Sequence, residues 1–392
     1  MDTTKVKCLA KQIRGVSYKP EDIHDSLDDN SVILLRANNI DDGKINLDDV
    51  VYVDKSKVSD EQYLQEGDVL ICASSGSRKL VGKAASVHFA LQCTFGAFCK
   101  VVRPHTDVAD YLGIYFQSDT YRRQISEVAL GANINNIRNE HIDCLELPVY
   151  DFEQSQGMVK KIRLLQNIMD NRKDELSKLD ELIKSRFIEV FGDPVTNPMG
   201  WKKMIVDDVC QSIVDCPHST PHYTNEDTGY MCIRTSIIKK NRIMWDEVEY
   251  ISKEEFEERI QRKKPERGDI VYTREGAILG IAAIIDRDCN VALGQRSMLL
   301  SPNQGICNSV FLSCVMNFDS FFHRVTDGVT GSASPHINVK DIKAFEIPLP
   351  PIELQNQFAD FVTLTDKSKL AVQQSIETLQ TLKAKLMQDY FG

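Results

Sequence analysis

One stretch of about 40 residues, 151–192, constrains the fold most, because it carries a heptad pattern and occurs twice in the chain. Apolar or long-stemmed side chains recur there at alternating steps of four and three. They are Leu165, Met169, Arg172, Leu176, Leu179, Ile183, Arg186 and Val190. This spacing is typical of the narrow seam of a coiled coil. The sequence Phe191-Gly-Asp-Pro194 predicts the end of the helix, since Gly suits the left-handed position after a helix and Pro cannot continue one.

A second copy of this stretch ends the sequence. Its apolar positions are Val372, Ile376, Leu379, Leu382, Leu386 and Tyr390. Residues 137–192 align with 337–392 without a gap, and Pro148 then falls on Pro348 and Phe191 on Phe391. The chain is therefore a tandem duplication. Two helices of about 60 Å each would carry seams that neither can bury alone, so we expect them to pack as an antiparallel coiled coil. Two separate helices, or pairing with another chain, remain alternatives.

A block of about 150 residues precedes each long helix, and the second block repeats landmarks of the first. Arg36 is matched by Arg234, and Gly96 by Gly294, while helical spacing appears at 111–125 and again at 310–325. We predict an α+β protein with pseudo-two-fold symmetry and two globular domains of short strands and helices. The predicted domains are 1–150 and 193–351, and the two long helices occupy 151–192 and 352–392.

Bulk composition narrows the class of protein. The formal net charge of −10 argues against a general nucleic-acid binder, although residues 259–274 form a basic run. The eleven cysteines include no C-x-x-C pair and are expected to be reduced. The sequence shows no signal peptide and no apolar run of about 18 residues, so we expect a cytoplasmic protein.

The sequence contains no complete catalytic motif. Residues 76–83 resemble a phosphate-binding loop but have five residues between the glycines, and Ala84 replaces the required Ser or Thr. The order of Cys210, Cys216, His218 and His222 is not a standard zinc spacing, so we expect no metal. Signatures of hydrolases and of adenine methyltransferases are also missing. We predict a chain without catalytic activity and without a cofactor of its own.

Polar loops recur at matching places in the two blocks, and they are the candidate binding sites. Arg, Asn, Gln, Ser and Thr suit both phosphate contacts and base-edge hydrogen bonds, although any one such loop can simply be solvated. The candidates in the first block are Arg36, Asn38, Ser74, Ser75, Ser77, Arg78, Asn133 and Asn135. Those in the second block are His218, Thr220, His222, Tyr223, Arg234, Thr235, Arg274, Gln295, Arg296, Ser332, Ser334 and His336.

The whole chain resembles the DNA-specificity subunits of Type I restriction–modification systems. The resemblance is carried by Gly131-Ala-Asn-Ile-Asn-Asn136, by Gly268-Asp-Ile-Val-Tyr-Thr-Arg-Glu-Gly276 and by Ile347-Pro-Leu-Pro-Pro351. It departs at Leu147-Pro-Val-Tyr150, where the fuller Pro-Leu-Pro-Pro pattern is lost.

The resemblance implies a non-catalytic subunit that recognises two unlike DNA half-sites, one per block, and binds two modification subunits. Those partners would methylate adenine with S-adenosylmethionine, and added restriction subunits would use ATP and Mg²⁺ to translocate and cleave DNA. The helices would set the spacer between the half-sites. Three alternatives remain open: a stand-alone methyltransferase or nuclease, a scaffold that does not recognise DNA, and a specificity chain of a methylation-only or variant system.

Overall fold

The chain divides into two compact units, and both boundaries between the units fall within a long helix. The computed structural model describes residues 2–77, 80–89, 91–105, 107–130, 136–327 and 335–392. Unit 1 comprises Met1–Lys173 with Gln374–Gly392, and unit 2 comprises Asp174–Gln373. Each long helix therefore contributes one part to each unit. The finer division into four domains stays a prediction.

Unit 1 contains twelve short strands, three short helices and the start of the first long helix, within the part of the chain that the structure describes. The strands are β1 Thr3–Lys5, β2 Ala10–Arg14, β3 Ile23–His24, β4 Ser31–Leu35, β5 Ile40–Asp41, β6 Lys44–Ile45, β7 Val51–Asp54, β8 Val69–Cys72, β9 Ala84–Ser86, β10 Cys93–Phe95, β11 Cys99–Pro104 and β12 Glu146–Pro148. The helices are α1 Ala109–Tyr115, α2 Asp119–Leu130, α3 Asn139–Asp143 and the long α4 Phe152–Phe191.

Unit 2 repeats this order. Its strands are β13 Lys203–Ile205, β14 Cys210–Asp215, β15 Met231–Ile233, β16 Ile238–Lys239, β17 Arg242–Ile243, β18 Glu249–Tyr250, β19 Ile270–Thr273, β20 Ala282–Ile284, β21 Val291–Leu293, β22 Ser297–Pro302 and β23 Glu346–Pro348. Its helices are α5 Val206–Val209, α6 Lys253–Arg259, α7 Ser309–Asn317, α8 Asp319–Thr326, α9 Val339–Lys343 and the long α10 Ile352–Phe391.

The two units share one sheet topology. The antiparallel sheet β2-β11-β8-β9 of unit 1 corresponds to β14-β22-β19-β20 of unit 2. A second sheet, β10-β4-β7-β3, has a parallel β4–β10 pair, and its counterpart β18-β15-β21 has a parallel β15–β21 pair. The central strand Val69–Cys72 is fully buried, because the core helices cover one face of its sheet and the second sheet covers the other. The predicted duplication is thereby confirmed at the level of strand order.

The two long helices pack antiparallel. In unit 1 the beginning of α4, at Met158 and Ile162, shares a buried cluster with the end of α10 at Phe391. In unit 2 the end of α4 meets the beginning of α10, where the rings of Phe191 and Phe358 lie 5.4 Å apart. The expected fold class, α+β with paired long helices, is confirmed.

The seam of α10 differs from the prediction at one position. Leu382 is 44% exposed, whereas its neighbour Lys383 is half-buried. Strict alternation of four and three after Leu379 leads to 383 rather than 382, so Lys383 takes the seam position and contributes its long aliphatic stem. Among the other predicted seam residues Arg186 is exposed, and the following are buried or half-buried: Leu165, Met169, Arg172, Leu176, Leu179, Ile183, Val190, Val372, Ile376, Leu379, Leu386 and Tyr390.

The predicted helical patches are each broken into two helices. In unit 1, α1 ends before Phe116 and α2 begins at Asp119, where the Ser118 hydroxyl accepts a hydrogen bond from Tyr121 N at 3.1 Å. In unit 2, Phe318 adopts an extended conformation between α7 and α8. The helical spacing of apolar residues continues in the sequence across both helices, because the side chains on either side of the short break still face the core. Among the described residues, no helix is both long and apolar enough to cross a membrane.

Candidate nucleic-acid interface

Three features recur together in both units and form what we call the shared frame. Tyr18 and Arg36 with Gly96 form it in unit 1, and Tyr223 and Arg234 with Gly294 form it in unit 2. Gly96 N donates to the carbonyl before Arg36 at 2.9 Å, and Gly294 N donates to the carbonyl before Arg234 at the same distance. A Cβ on Gly294 would lie 2.9 Å from that carbonyl oxygen and 3.0 Å from the hydroxyl of Tyr223. The close backbone approach in unit 2 therefore requires glycine.

The arginine of the shared frame in unit 1 is positioned by a buried amide. Asn39 is 1% exposed; its side chain accepts from Arg36 N at 2.8 Å and donates to Asp49 O at 2.9 Å. Asp49 also pairs with the Arg36 guanidinium at 3.1 Å and accepts from Asn38 at 2.7 Å. This loop therefore presents one cation and one amide side by side at the end of β4.

The arginine of unit 2 is held by an acid and an aromatic ring. Arg234 pairs with Glu249 at 3.0 Å and lies 5.5 Å from the centre of the Tyr223 ring. Burial raises the pKa of Tyr223, which keeps its hydroxyl protonated. The buried Nε atoms of Arg36 and Arg234 both lack a hydrogen-bond partner among the described residues. Each guanidinium therefore has one donor that is not engaged by any described residue.

A second arginine in unit 2, Arg274, orders loops rather than projecting from them. It is 6% exposed, and Asp215 accepts from its Nε at 2.9 Å and from its Nη2 at 3.2 Å. Glu275 lies 2.7 Å from its other nitrogen, and His218 Nε2 lies 3.1 Å from Asp215. Its carbonyl accepts from Ile337 N at 2.8 Å. Arg274 thus links three predicted binding loops through its side chain and backbone.

One residue that holds the candidate loops in place was not among the candidates named from the sequence. The side chain of Arg259 is 2% exposed and donates to Ser219 O at 2.8 Å and to Leu293 O at 3.2 Å. It also pairs at 3.3 Å with Glu255, which accepts from His222 N at 3.1 Å. Arg259 therefore joins the loop of His218–Tyr223 to the end of β21. The sequence signals were its place at the start of the basic run 259–274 and the i, i+4 spacing of Glu255 and Arg259 on one helix.

The basic run 259–274 is largely neutralised in the fold. Lys263 pairs with Asp269 at 2.9 Å, Arg267 lies 3.8 Å from Asp288, and Arg259 and Arg274 are buried with acids. The run is consequently a set of structural ion pairs more than a free cationic surface.

The remaining predicted residues fall into three groups. Ser74, which bridges to Asn136, and Thr235 are half-buried, whereas Ser77, His222, Arg296 and His336 are exposed. Ser77 N donates to Ser75 Oγ at 3.2 Å, and Thr220 Oγ1 donates to Gln295 at 3.4 Å. Arg78, Asn133, Asn135, Ser332 and Ser334 lie outside the described residues. Which of all these side chains touch DNA stays a prediction.

Cys210, Cys216, His218 and His222, which we did not expect to bind zinc, lie along β14 and in the loop that follows it. Cys210 and Cys216 flank the length of β14, and His218 faces Asp215. Throughout the ranges that the structure describes, no three His, Cys, Asp or Glu side chains are grouped to hold a metal ion.

Two repeated units, each with polar loops gathered at the ends of its buried strands, define a DNA-recognition protein with two similar but unequal halves. Residues 198–381 match the model of the Type I restriction modification DNA specificity domain. This match and the relatives described next support a DNA-specificity subunit of a Type I restriction–modification system, the recognition component of such complexes.

Curated relatives and solved structures agree with this family. The EcoKI specificity subunit of Escherichia coli K12 is 27% identical over 89% of this chain and 78% of its own length. The StySPI specificity subunit of Salmonella potsdam is 34% identical over 46% of this chain and 40% of its own. In fold, the chain matches a Type I S subunit from M. genitalium with a TM-score of 0.55 at 12% identity, covering 100% of this chain and 96% of that one. A chain from a study of type I R-M complex assembly matches with a TM-score of 0.57 at 16% identity, covering 100% and 97%.

Proposed function

We propose that this chain recognises a bipartite, asymmetric DNA site, with one half-site contacted by each unit. The observation that supports the proposal is the shared frame, which keeps Tyr, Arg and Gly in both units while the loops around it differ. Ala73 of unit 1 stands where unit 2 has Arg274, and Phe98 stands where unit 2 has Arg296. The same shared frame carrying different side chains in each unit suits the recognition of two different half-sites on one duplex.

The proposal includes two modification subunits bound to one specificity chain. Exposed leucines support two equivalent docking surfaces on the long helices. Unit 1 carries Leu164 and Leu382, which are 59% and 44% exposed, and unit 2 carries the matching Leu364 and Leu182, which are 64% and 47% exposed. Apolar side chains repeated at equivalent exposed positions are typical of contact surfaces for two copies of one partner.

The chemistry belongs to the partners in this proposal. The modification subunits would transfer methyl groups from S-adenosylmethionine to adenine, and restriction subunits would use ATP and Mg²⁺ to translocate and cleave unmethylated DNA. This chain supplies the choice of sequence and, we expect, acts in the cytoplasm. That the long helices set the spacer between half-sites is part of the same proposal.

The decisive experiment reconstitutes the chain with its modification subunits, methylates DNA and maps modified adenines by single-molecule sequencing. We expect two short recognised elements separated by an unrecognised spacer. Inserting four residues, about one helical turn, after Lys173 and after Gln373 should lengthen the spacer and leave both elements unchanged. The purified chain alone should transfer no methyl group.

Two results would contradict the proposal. A single contiguous recognised element would show that the two units do not act as separate readers. Methylation by the isolated chain would favour the stand-alone enzyme. An unchanged spacer in the insertion variant would remove only the role of the helices in spacing.

A further inference from the structure

Phe98 and Arg296 occupy the same place in the two units. Each is the second residue after the glycine of the shared frame, in the turn that joins β10 to β11 in unit 1 and β21 to β22 in unit 2. The carbonyl of Phe98 accepts from Ala73 N at 2.9 Å, and that of Arg296 accepts from Arg274 N at 3.0 Å. The backbone of the turn is thus fixed to the end of the central strand β8 or β19 in the same way in both units.

Both side chains are exposed. Phe98 is 72% exposed, the highest value among the large apolar side chains that the structure describes. Arg296 is exposed and has a φ of 69°, in the left-handed region that non-glycine residues rarely adopt. Unlike Arg274, it takes part in no ion pair with a described residue. At one structural position, the two units thus present an exposed aromatic ring and an exposed cation on a left-handed backbone, which makes this a candidate contact position.

The surroundings of the two residues indicate what that ligand is. Each turn adjoins the arginine of the shared frame and the segment before α3 or α9, where Ser74 bridges to Asn136 and Glu275 bridges to His336. The frame is alike in the two units, so it can make contacts that do not depend on DNA sequence. A difference between the two half-sites must come from positions at which the two units differ. Phe98 is apolar and uncharged, whereas Arg296 is a cation with several hydrogen-bond donors.

Resting on the proposed recognition of two half-sites, we infer that residues 98 and 296 are paired base-recognition positions in the major groove. Phe98 contacts the C5-methyl edge of thymine in the half-site of unit 1. Arg296 donates two hydrogen bonds to N7 and O6 of guanine in the half-site of unit 2. These are the base edges that an apolar side chain and a guanidinium distinguish best.

The test uses the full modification complex and maps methylated sites for Phe98→Ala and Arg296→Ala. Phe98→Ala should relax one thymine position in one half-site and leave the other half-site as in the wild type. Arg296→Ala should relax one guanine position in the other half-site. For Arg296→Ala the expected loss of discrimination at the guanine position is about 5- to 150-fold, as for one bidentate base contact. Leu27→Ala and Arg287→Ala, which alter an exposed apolar side chain and an exposed arginine elsewhere, should leave both half-sites unchanged.

The outcomes separate this inference from the proposed function. If the wild-type complex shows no bipartite site, the proposed function fails first. If the wild-type site is bipartite but Phe98→Ala leaves it unchanged, the inference is overturned, and reduced binding of modification subunits by that variant would assign Phe98 to a protein contact. Relaxation of both half-sites by one substitution would overturn it too. Phe98→Leu, which keeps an apolar group, should retain part of the thymine preference, and a melting temperature close to that of the wild type excludes misfolding as the cause.

Discussion

Replacing Arg259 with Met gives the clearest test of how unit 2 holds its recognition loops. The substitution keeps an unbranched stem of similar length but removes the bonds to Ser219, Leu293 and Glu255. Breaking a buried ion pair costs about 3–5 kcal/mol. Glu255 keeps its bond from His222 N and is 17% exposed, so we expect the lower end of that range, about 3 kcal/mol.

This loss is measurable as a melting temperature. For a domain the size of unit 2, Asp174–Gln373, 1 kcal/mol corresponds to about 2–4 °C. Arg259→Met should therefore lower the melting temperature of unit 2 by about 6–12 °C in a calorimetric scan. The half-site of unit 2 should also be recognised less strictly, because the loop of His218–Tyr223 loses its connection to β21.

Two further variants make the test sharp. Arg267→Met removes an exposed arginine from the same basic run, and we expect a shift of less than about 2 °C, as for an exposed ion pair. The double variant Glu255→Leu with Arg259→Met leaves no unpaired buried charge and should recover part of the loss. A melting temperature for Arg259→Met within about 2 °C of the wild type would refute the argument that Arg259 holds these loops.

Three other predictions follow from the same contacts. Cys8 and Cys144 have exposed thiols, whereas burial raises the pKa of several other cysteines to about 12. A thiol reagent at pH 8 should therefore label about two cysteines rapidly and the rest only after unfolding. Arg36→Ala or Arg234→Ala should weaken DNA binding without changing the methylated sequence. The slope of the logarithm of the binding constant against the logarithm of the salt concentration should fall by about 0.9 per lost phosphate contact. An altered methylated sequence would contradict this. Two lysines lower the pKa of Asp319 to about 2, so its carboxylate stabilises the fold above about pH 4 and stabilises it less as the pH falls towards 2. The wild type and Asp319→Asn should therefore differ by a small melting-temperature shift. This shift should be constant from pH 8 to 5 and shrink below pH 4.

The duplication and the fold class were accessible from the sequence because heptad spacing and a gap-free internal alignment depend only on local order. The same method placed Leu382 in the seam, although strict alternation leads to Lys383, which the structure shows half-buried. A long basic side chain at a seam position is invisible to a search for apolar residues, since its stem is apolar and its end is not.

The candidate site was only partly accessible. Arg and Asn after a strand indicated loops that the structure places at strand ends, but not which guanidinium is exposed. Arg274 is enclosed by Asp215 and Glu275, while Arg296 is exposed. Phe98 escaped notice because an isolated Phe in a sequence is expected in the core. Such distinctions depend on partners far apart in the chain, which composition and spacing do not encode.

The internal repeat also shows which residues must change together. In the antiparallel registers of the central sheets, Lys100 faces Arg14 in unit 1 and Met298 faces Asp215 in unit 2. Arg14 thus stands where unit 2 has Asp215, and Ala73 stands where unit 2 has Arg274. An arginine after β19 is tolerated because Asp215 accepts two of its hydrogen bonds. The same arginine placed in unit 1 would meet a cation instead of an acid, at a cost rather than a gain in stability. Arg274 and Asp215 therefore form one charge-compensated pair, and placing an arginine at position 73 of unit 1 is expected to destabilise that unit unless Arg14 on β2 changes as well.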